Sequence, residues 1–410
     1  MRELVAQGNS LVVVDHNVEI IKAADYLIEI GPGSGALGGQ IIGKGTPAQL
    51  AQEKASLIGP YLNGTAKLLA RTPQEKATEK ISLTVHEHYN LTDVEVTLNV
   101  GQLTAVTGFS GAGKTSLILD SLVPALKAKA KGQALPTYVT KIETTLKDVV
   151  SVDATPIGKN TRSTVATYTT LMDDLRKLFA SQKSAKEKGY TASFFSYNNK
   201  QGACERCGGT GVVNLDIQYL PDMEQVCPQC QGERYQDKIK AIKWQGYSIV
   251  DLLALDVAQA LEVFQELPHF KRELELLAEV GLGYLHLGES TPSLSGGEAQ
   301  RLKLVKHLRK KQKHTLFVFD EPTIGLHPLD VKVLVTVMQR LLDQAATIIT
   351  ITHDLDLIVN ADQILDMGPK GGKNGGQAIV NGTLKEVLAK NKGITTKYLK
   401  KYCQEFGLAD

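Results

Sequence analysis

Three stretches of the 410-residue chain gather residue types that handle phosphate. Gly108-Phe109-Ser110-Gly111-Ala112-Gly113-Lys114-Thr115 reads GxxxxGK[ST], with an apolar run at 103–106 before it and a helical pattern from Ser116 after it. Glycines at this spacing let successive backbone N–H groups turn toward one point, and the helix N-terminus adds positive potential there. Lys114 then neutralises phosphate charge and the Thr115 hydroxyl ligates Mg2+, with Gly108, Ser110, Gly111, Gly113 and Ser116 completing the cradle. Residues 315–322, TLFVFDEP, read as a hydrophobic strand ending in two acids. Asp320 is placed to hold Mg2+, and Glu321 to orient or deprotonate an attacking water. Ser295-Gly296-Gly297-Glu298, inside LSGGEAQR, sets a hydroxyl and N–H donors at the mouth of a helix. Glu298, three residues after Ser295, also reads as half of a capping box. His353 follows the strand pattern at 347–352 and completes the candidate site for binding and hydrolysing ATP.

A second chemistry sits between these motifs. Cys204-x2-Cys207 and Cys227-x2-Cys230 are separated by 19 residues, 208 to 226. CxxC-x15–20-CxxC is a spacing for tetrahedral Zn2+ held by four thiolates, and Gly208, Gly209, Gly211 and Gly232 supply the tight turns. A redox pair is the weaker reading, since there are two pairs and no thioredoxin-like βαβ pattern around them. Cys403 stands alone and reads as an ordinary thiol.

The elements that position these residues follow from the wider pattern. At roughly 150 residues per domain the length predicts two to three domains. Hydrophobic residues at 42% and charged residues at 22% are ordinary for a globular chain, and 46 basic against 44 acidic residues leave a net charge of only +2. That balance excludes a histone-like polybasic binder but not a local basic groove. No apolar run approaches the roughly 20 residues of a membrane helix, and 11–14 is too short for a signal-peptide core. Two CxxC pairs in a chain this long point to a reducing, cytoplasmic setting. Residues 8–46 also align without a gap to 345–383 at an offset of 337, with thirteen of 39 positions identical, His16 on His353 and Asp25 on Asp362 among them. Each copy predicts a buried strand (11–14, 347–351), a helix, a second strand ending at Gly-Pro, and a hairpin-like turn. The stretch 63–80 is polar and reads as a linker, and 128–195 reads as helical or irregular.

LSGGEAQR is the signature of ATP-binding-cassette ATPases, but 186 residues separate Gly108 from Leu294, so a sizeable insertion lies between them. CERCGGTG fits the CxxCxGxG of DnaJ-type zinc modules, whereas CPQCQGER departs from it. The chain resembles the C-terminal part of the UvrA family, the damage-sensing ATPases of bacterial excinucleases, in VTGFSGAGKTSLILDSLVPAL, FSYNNKQGACERCGGTGVV, VGLGYLHLGESTPSLSGGEAQRLKL and DEPTIGLHPLD. The resemblance implies an α/β fold: an ABC-type P-loop ATPase head with an inserted helical signature domain carrying a zinc module. The expected division is 1–62 as the tail of a first head, 63–80 as linker, and 81–127 as the first part of the ATP-binding head. The insertion is expected at 128–293, with zinc at 196–236, and the second part of the head at 294–410. The resemblance further implies ATP, Mg2+ and Zn2+ as cofactors and ATP-gated recognition of damaged DNA in nucleotide excision repair. Arg162, Arg176, Lys200 and Arg206 are the candidate DNA-phosphate contacts. Expected partners are DNA, the other excinuclease components, and either a second copy or a chain carrying the first head, whose P-loop and signature this sequence lacks. Ala154 stands where the family pattern has a Gln that senses Mg2+ and the γ-phosphate. The alternative reading is a zinc-stabilised nucleotide or nucleic-acid binder with little turnover.

Overall fold

The computed structural model describes all residues except 34–37, 75–76, 154, 156, 159, 161, 216–222, 310, 325 and 409–410; for 214, 215, 223 and 224 it describes the backbone alone. Strands run in chain order as β1 (Leu27–Gly31), β2 (Gln40–Gly45), β3 (Lys80–His88), β4 (Leu91–Asn99), β5 (Leu103–Gly108), β6 (Val139–Glu143) and β7 (Asp148–Val152). They continue as β8 (Val212–Leu215), β9 (Met223–Val226), β10 (Thr315–Asp320), β11 (Thr347–Ile351), β12 (Gln363–Gly368) and β13 (Gln377–Gly382). The chain divides into two units, Met1–Asp153 with Lys310–Asp410, and Ala154–Arg309.

The first unit is built on a six-stranded sheet of order β13-β12-β5-β11-β10-β7, parallel except for β13. β5 and β11 are continuous apolar or Thr-containing runs, and β12 adds only Gln363 and Asp366, because both faces are covered: every residue of the three strands is buried. A three-stranded antiparallel sheet, β4-β3-β6, shares its core. Ile81, Leu83 and Val96 cluster there with Val106, Leu316 and Ile349, around Leu117, Ile118 and Leu122 of the helical run after the glycine loop.

The offset-337 repeat is also a structural one. β1 pairs with β2, and β12 with β13, each antiparallel, with a register shift at Glu29/Ile30 and at the matching Asp366/Met367. Thr46 and Thr383 each close a capping box, with Gln49 and Glu386. Glu29 accepts from the backbone N–H groups of Leu57 and Ile58, while Asp366 accepts from Thr395, the counterpart of Ile58.

Three sequence expectations are corrected. Residues 11–14 form no strand, and Val12 and Val14 are 91% and 92% exposed. Their counterpart β11 lies between β5 and β10, whereas 11–14 have no strand alongside to bond to among the described residues. The insertion is 154–309, not 128–293: β6 and β7 belong to the first unit, and the signature helix Gly296–Val305 belongs to the second. β7 was hidden because it is a short, half-buried edge strand. The stretch 63–80, expected as a polar linker, packs in part against the rest of the first unit. Ala66 and Leu68 are buried, and buried Arg71 pairs with Asp362 at 2.9 Å and donates to the Asn360 carbonyl at 2.8 Å.

The second unit is mainly helical, with Leu171–Ala180, Pro268–Glu279 and the signature helix as its longer helices. β8 and β9 form an antiparallel hairpin.

Candidate nucleotide site and cysteine cage

The P-loop, Asp320-Glu321 and His353 converge because they follow β5, β10 and β11, which run parallel side by side, with Val106 paired to Ile351 and Asp320 to Ile351. Side chains leaving the carboxyl ends of adjacent parallel strands meet in one crevice. Gly108 is required at the end of β5: it has φ +127°, and a Cβ there would lie 2.0 Å from the Met367 carbonyl oxygen. Lys114 is buried at 7% exposure, and its Nζ donates to the carbonyls of Gly108 and Phe109, both at 3.0 Å. It also lies 3.0 Å from His353 Nε2, which is itself 3.3 Å from Glu321 Oε1. Lysine, imidazole and carboxylate are therefore in line at one point.

Electrostatics follow from that burial. Burial pushes Lys114 down, opposed by the charges of Glu321, Asp320 and Asp366. Burial pushes Glu321 and Asp320 up, with Lys114 opposing in both cases. Burial and then Lys114 push His353 down, favouring the neutral ring. Glu321 also sits at φ 43°, a left-handed conformation rare for a residue with a Cβ, and its N–H is bonded to the Ile351 carbonyl at 2.8 Å. Such strain costs about 1 kcal/mol or more and recurs at functional sites. A buried ammonium beside two carboxylates, on a loop of N–H donors, fits a triphosphate with its divalent cation. Thr115 is exposed at this mouth, as are Ser110 and Gly111.

The motif reading missed the loop's supports. Asn90, at the β3–β4 turn, donates from Nδ2 to the carbonyls of Gly111 at 3.0 Å and Gly372 at 3.2 Å. Gly372 N–H donates to the Gly111 carbonyl and Gly376 N–H to the Ala112 carbonyl, both at 3.0 Å. Gly376 must be glycine: a Cβ would lie 1.8 Å from the Asn90 carbonyl oxygen. The glycines at 368–376 were visible in the repeat, but only as a turn, and a lone Asn carries no local signal. Tyr89, beside Asn90, is a 79% exposed aromatic.

The second unit holds the other predicted residues. Ser295 caps the signature helix, and Glu298 completes the capping box. The four sulfurs of Cys204, Cys207, Cys227 and Cys230 lie within 4.8 Å of one another, with Cys204–Cys227 at 3.9 Å and Cys207–Cys230 at 3.7 Å. A tetrahedral thiolate cage with metal–sulfur bonds of about 2.3 Å has edges of about 3.8 Å, so the donor set fits Zn2+. Gly211 N–H donates to Cys207 Sγ at 3.3 Å. Burial pushes the Cys204 and Cys230 thiols up, Cys230 to about 12. Burial also pushes Cys227 up, but the backbone N–H groups of Cys230 and Gln229 together with the Cys230 and Cys204 thiols bring it down to about 7. Cys403 is buried, which pushes its thiol up.

Of the four candidate DNA contacts, Arg162 donates to the Gly208 carbonyl at 3.0 Å, stapling the first knuckle, and Arg176 pairs with Asp173 at 3.3 Å. Lys200 and Arg206 are exposed. Ala154 lies outside the described residues.

No family model matches the chain. UvrABC system protein A of Staphylococcus aureus (strain COL) is 40% identical over 405 residues, which are 98% of this chain and 43% of that protein. Its namesake in Aquifex aeolicus (strain VF5) is 41% identical over 403 residues, 97% of this chain and 44% of that protein. The crystal structure of UvrA2 from Deinococcus radiodurans matches with a TM-score of 0.91 at 39% identity, covering 98% of this chain and 49% of that one. The chain thus spans less than half the length of the curated relatives it matches. Fold and motif order together define an ABC-type P-loop ATPase. The chain is similar to the C-terminal half of UvrA-family proteins.

Proposed function

We propose that the chain is an ATP-hydrolysing, DNA-binding component of a UvrA-type nucleotide excision repair system. The observation that carries the reading is the meeting of Lys114, Glu321 and His353 at the ends of neighbouring parallel strands. The P-loop amides and Lys114 hold the β- and γ-phosphates, and Thr115 with Asp320 holds Mg2+, which supplies charge neutralisation at the phosphates. Glu321 orients the attacking water, and neutral His353 lies between it and Lys114 at the γ-phosphate. Tyr89 offers a flat surface for the base beside the cradle.

Ser295, Gly296, Gly297 and Glu298 serve a nucleotide held by another head, supplied by a second copy or by a chain or segment carrying the family's first head. Residues 1–62 are the tail of that first head. Zn2+ in the four-thiolate cage fixes the knuckle. Lys200 and Arg206 contact DNA phosphates, a sequence-blind and salt-dependent mode of binding. The other excinuclease components are partners of the assembled system.

The test is ATPase activity of the purified chain against protein concentration, with and without damaged duplex DNA. Specific activity that rises with concentration and is lost in Ser295→Arg supports the reading. Concentration-independent turnover by a strict monomer refutes the need for a second head, and absence of Mg-ATP binding refutes the site.

A further inference from the structure

The turn that opens the signature helix holds two glycines, Gly296 and Gly297, which have no side chains to anchor them. Its direction is therefore set by the residues on either side. Ser295 Oγ accepts from Glu298 N–H at 3.3 Å, and Glu298 Oε2 accepts from Ser295 N–H at 2.8 Å. This capping box uses only one carboxylate oxygen. The other, Oε1, accepts from the Tyr284 hydroxyl at 2.6 Å.

Tyr284 lies outside the helix, on a segment that is itself held fast. Leu282, Leu285 and Leu287 are at most 2% exposed. The carbonyls of Leu285 and Gly283 accept from Val257 and Ala258, at 3.0 and 2.9 Å. The N–H groups of Leu287 and Gly288 donate to Leu255 and Leu253, at 3.0 and 2.7 Å. The hydroxyl is thus presented from a fixed post. A carboxylate bound at one oxygen can still swing about that contact; bound at both, it is locked, and the Ser295–Gly297 backbone with it.

We propose that Tyr284 is a positioning residue for ATP hydrolysis: by clamping Glu298 it aims the Ser295–Gly297 turn at the phosphates of a nucleotide on the opposing P-loop. The proposal rests on the ATPase reading above. Tyr284 touches no reacting atom and acts only through Glu298.

The experiment compares the full chain with Tyr284→Phe, Glu298→Ala and the double variant. Hydrogen exchange over 294–299, turnover at saturating protein, and nucleotide affinity are read in each. Tyr284→Phe is expected to speed exchange of the Ser295 and Glu298 amides about threefold or more and to lower kcat about five- to twentyfold, consistent with loss of one charge-assisted bond. ATP affinity and zinc content stay at the parent's values, because neither site contains Tyr284. In the Glu298→Ala background the Tyr284 change has no further effect on kcat, whereas a general loosening of the fold adds to it. Unchanged exchange in Tyr284→Phe, or additive losses in the double variant, overturns the proposal. If the parent turns over no ATP at any concentration, the ATPase reading falls, and the exchange measurement alone decides whether Tyr284 sets the turn.

Discussion

Asn90→Ala tests whether the phosphate loop is held ready by its neighbours or shapes itself around a ligand. The substitution deletes two donors, to the Gly111 and Gly372 carbonyls, and leaves the β3–β4 backbone in place. Two neutral hydrogen bonds are worth about 2 kcal/mol together. Gly111 keeps its bond from Gly372 N–H, and the site is open to water, so about 1 to 1.4 kcal/mol of preorganisation is lost on binding. That predicts a Kd for Mg-ATP about five- to tenfold higher than the parent's. A fluorescent ATP analogue titrated at fixed magnesium gives the number, and a thermal melt checks that the fold is intact. Asn90→Asp keeps the shape, removes the donors and adds a negative charge beside the phosphates, so it binds more weakly than Asn90→Ala. A Kd for Asn90→Ala within about twofold of the parent refutes the reasoning, because about 0.4 kcal/mol is then all that the brace contributes.

Three further outcomes are expected. Burial pushes Asp356 from 3.8 up to about 6, against a 2.7 Å hydrogen bond from Tyr402 and the charge of Lys332. A raised acid binds more protons folded than unfolded, so its stabilising effect is full below about pH 4 and is lost as pH rises through about 6. Asp356→Asn should therefore add about 1 to 2 kcal/mol at pH 8, a discounted share of the full shift, and nothing at pH 4; equal gains at both pH values in urea melts contradict this. Cys227→Ser should remove about one zinc per chain and loosen 200–236 to proteolysis while nucleotide binding persists, and metal content near zero in the parent, purified without chelator, rules out the cage. Lys114→Ala should abolish ATP binding, whereas Glu321→Gln should bind normally and turn over about a hundredfold slower or worse; parent-like binding by Lys114→Ala in the same titration overturns the P-loop assignment.

What could be read from the residues alone was whatever a short contiguous pattern specifies. The P-loop, the Asp-Glu strand, His353 and the two CxxC pairs are local motifs whose geometry follows from the elements they terminate. Residues 11–14 have the composition of a buried strand, but a strand is completed by its neighbours, and none lies beside these residues in the described structure. Nothing near Arg71 in the sequence signals its burial, because its partner, Asp362, is 291 residues away. Asn90 escaped for the same reason: its contacts with Gly111 and Gly372 are made across the fold, and nothing in the adjacent sequence announces them. The boundary of the insertion moved because β6 and β7 are short, partly exposed strands with weak alternation.

The strap around Arg71 has a mechanical consequence. Arg71 grips Asp362 through Oδ1, and the other oxygen of the same carboxylate accepts from Leu103 N–H at 2.7 Å, at the root of β5. Asp362 N–H returns a bond to the Leu103 carbonyl at 2.8 Å. One carboxylate is thus a rivet between the segment that follows the first repeat and the strand that carries the phosphate loop at its far end. Arg71 is two hydrogen bonds from the base of that strand. The segment that follows the first repeat is thereby anchored to the strand that carries the phosphate loop, at the end opposite the loop.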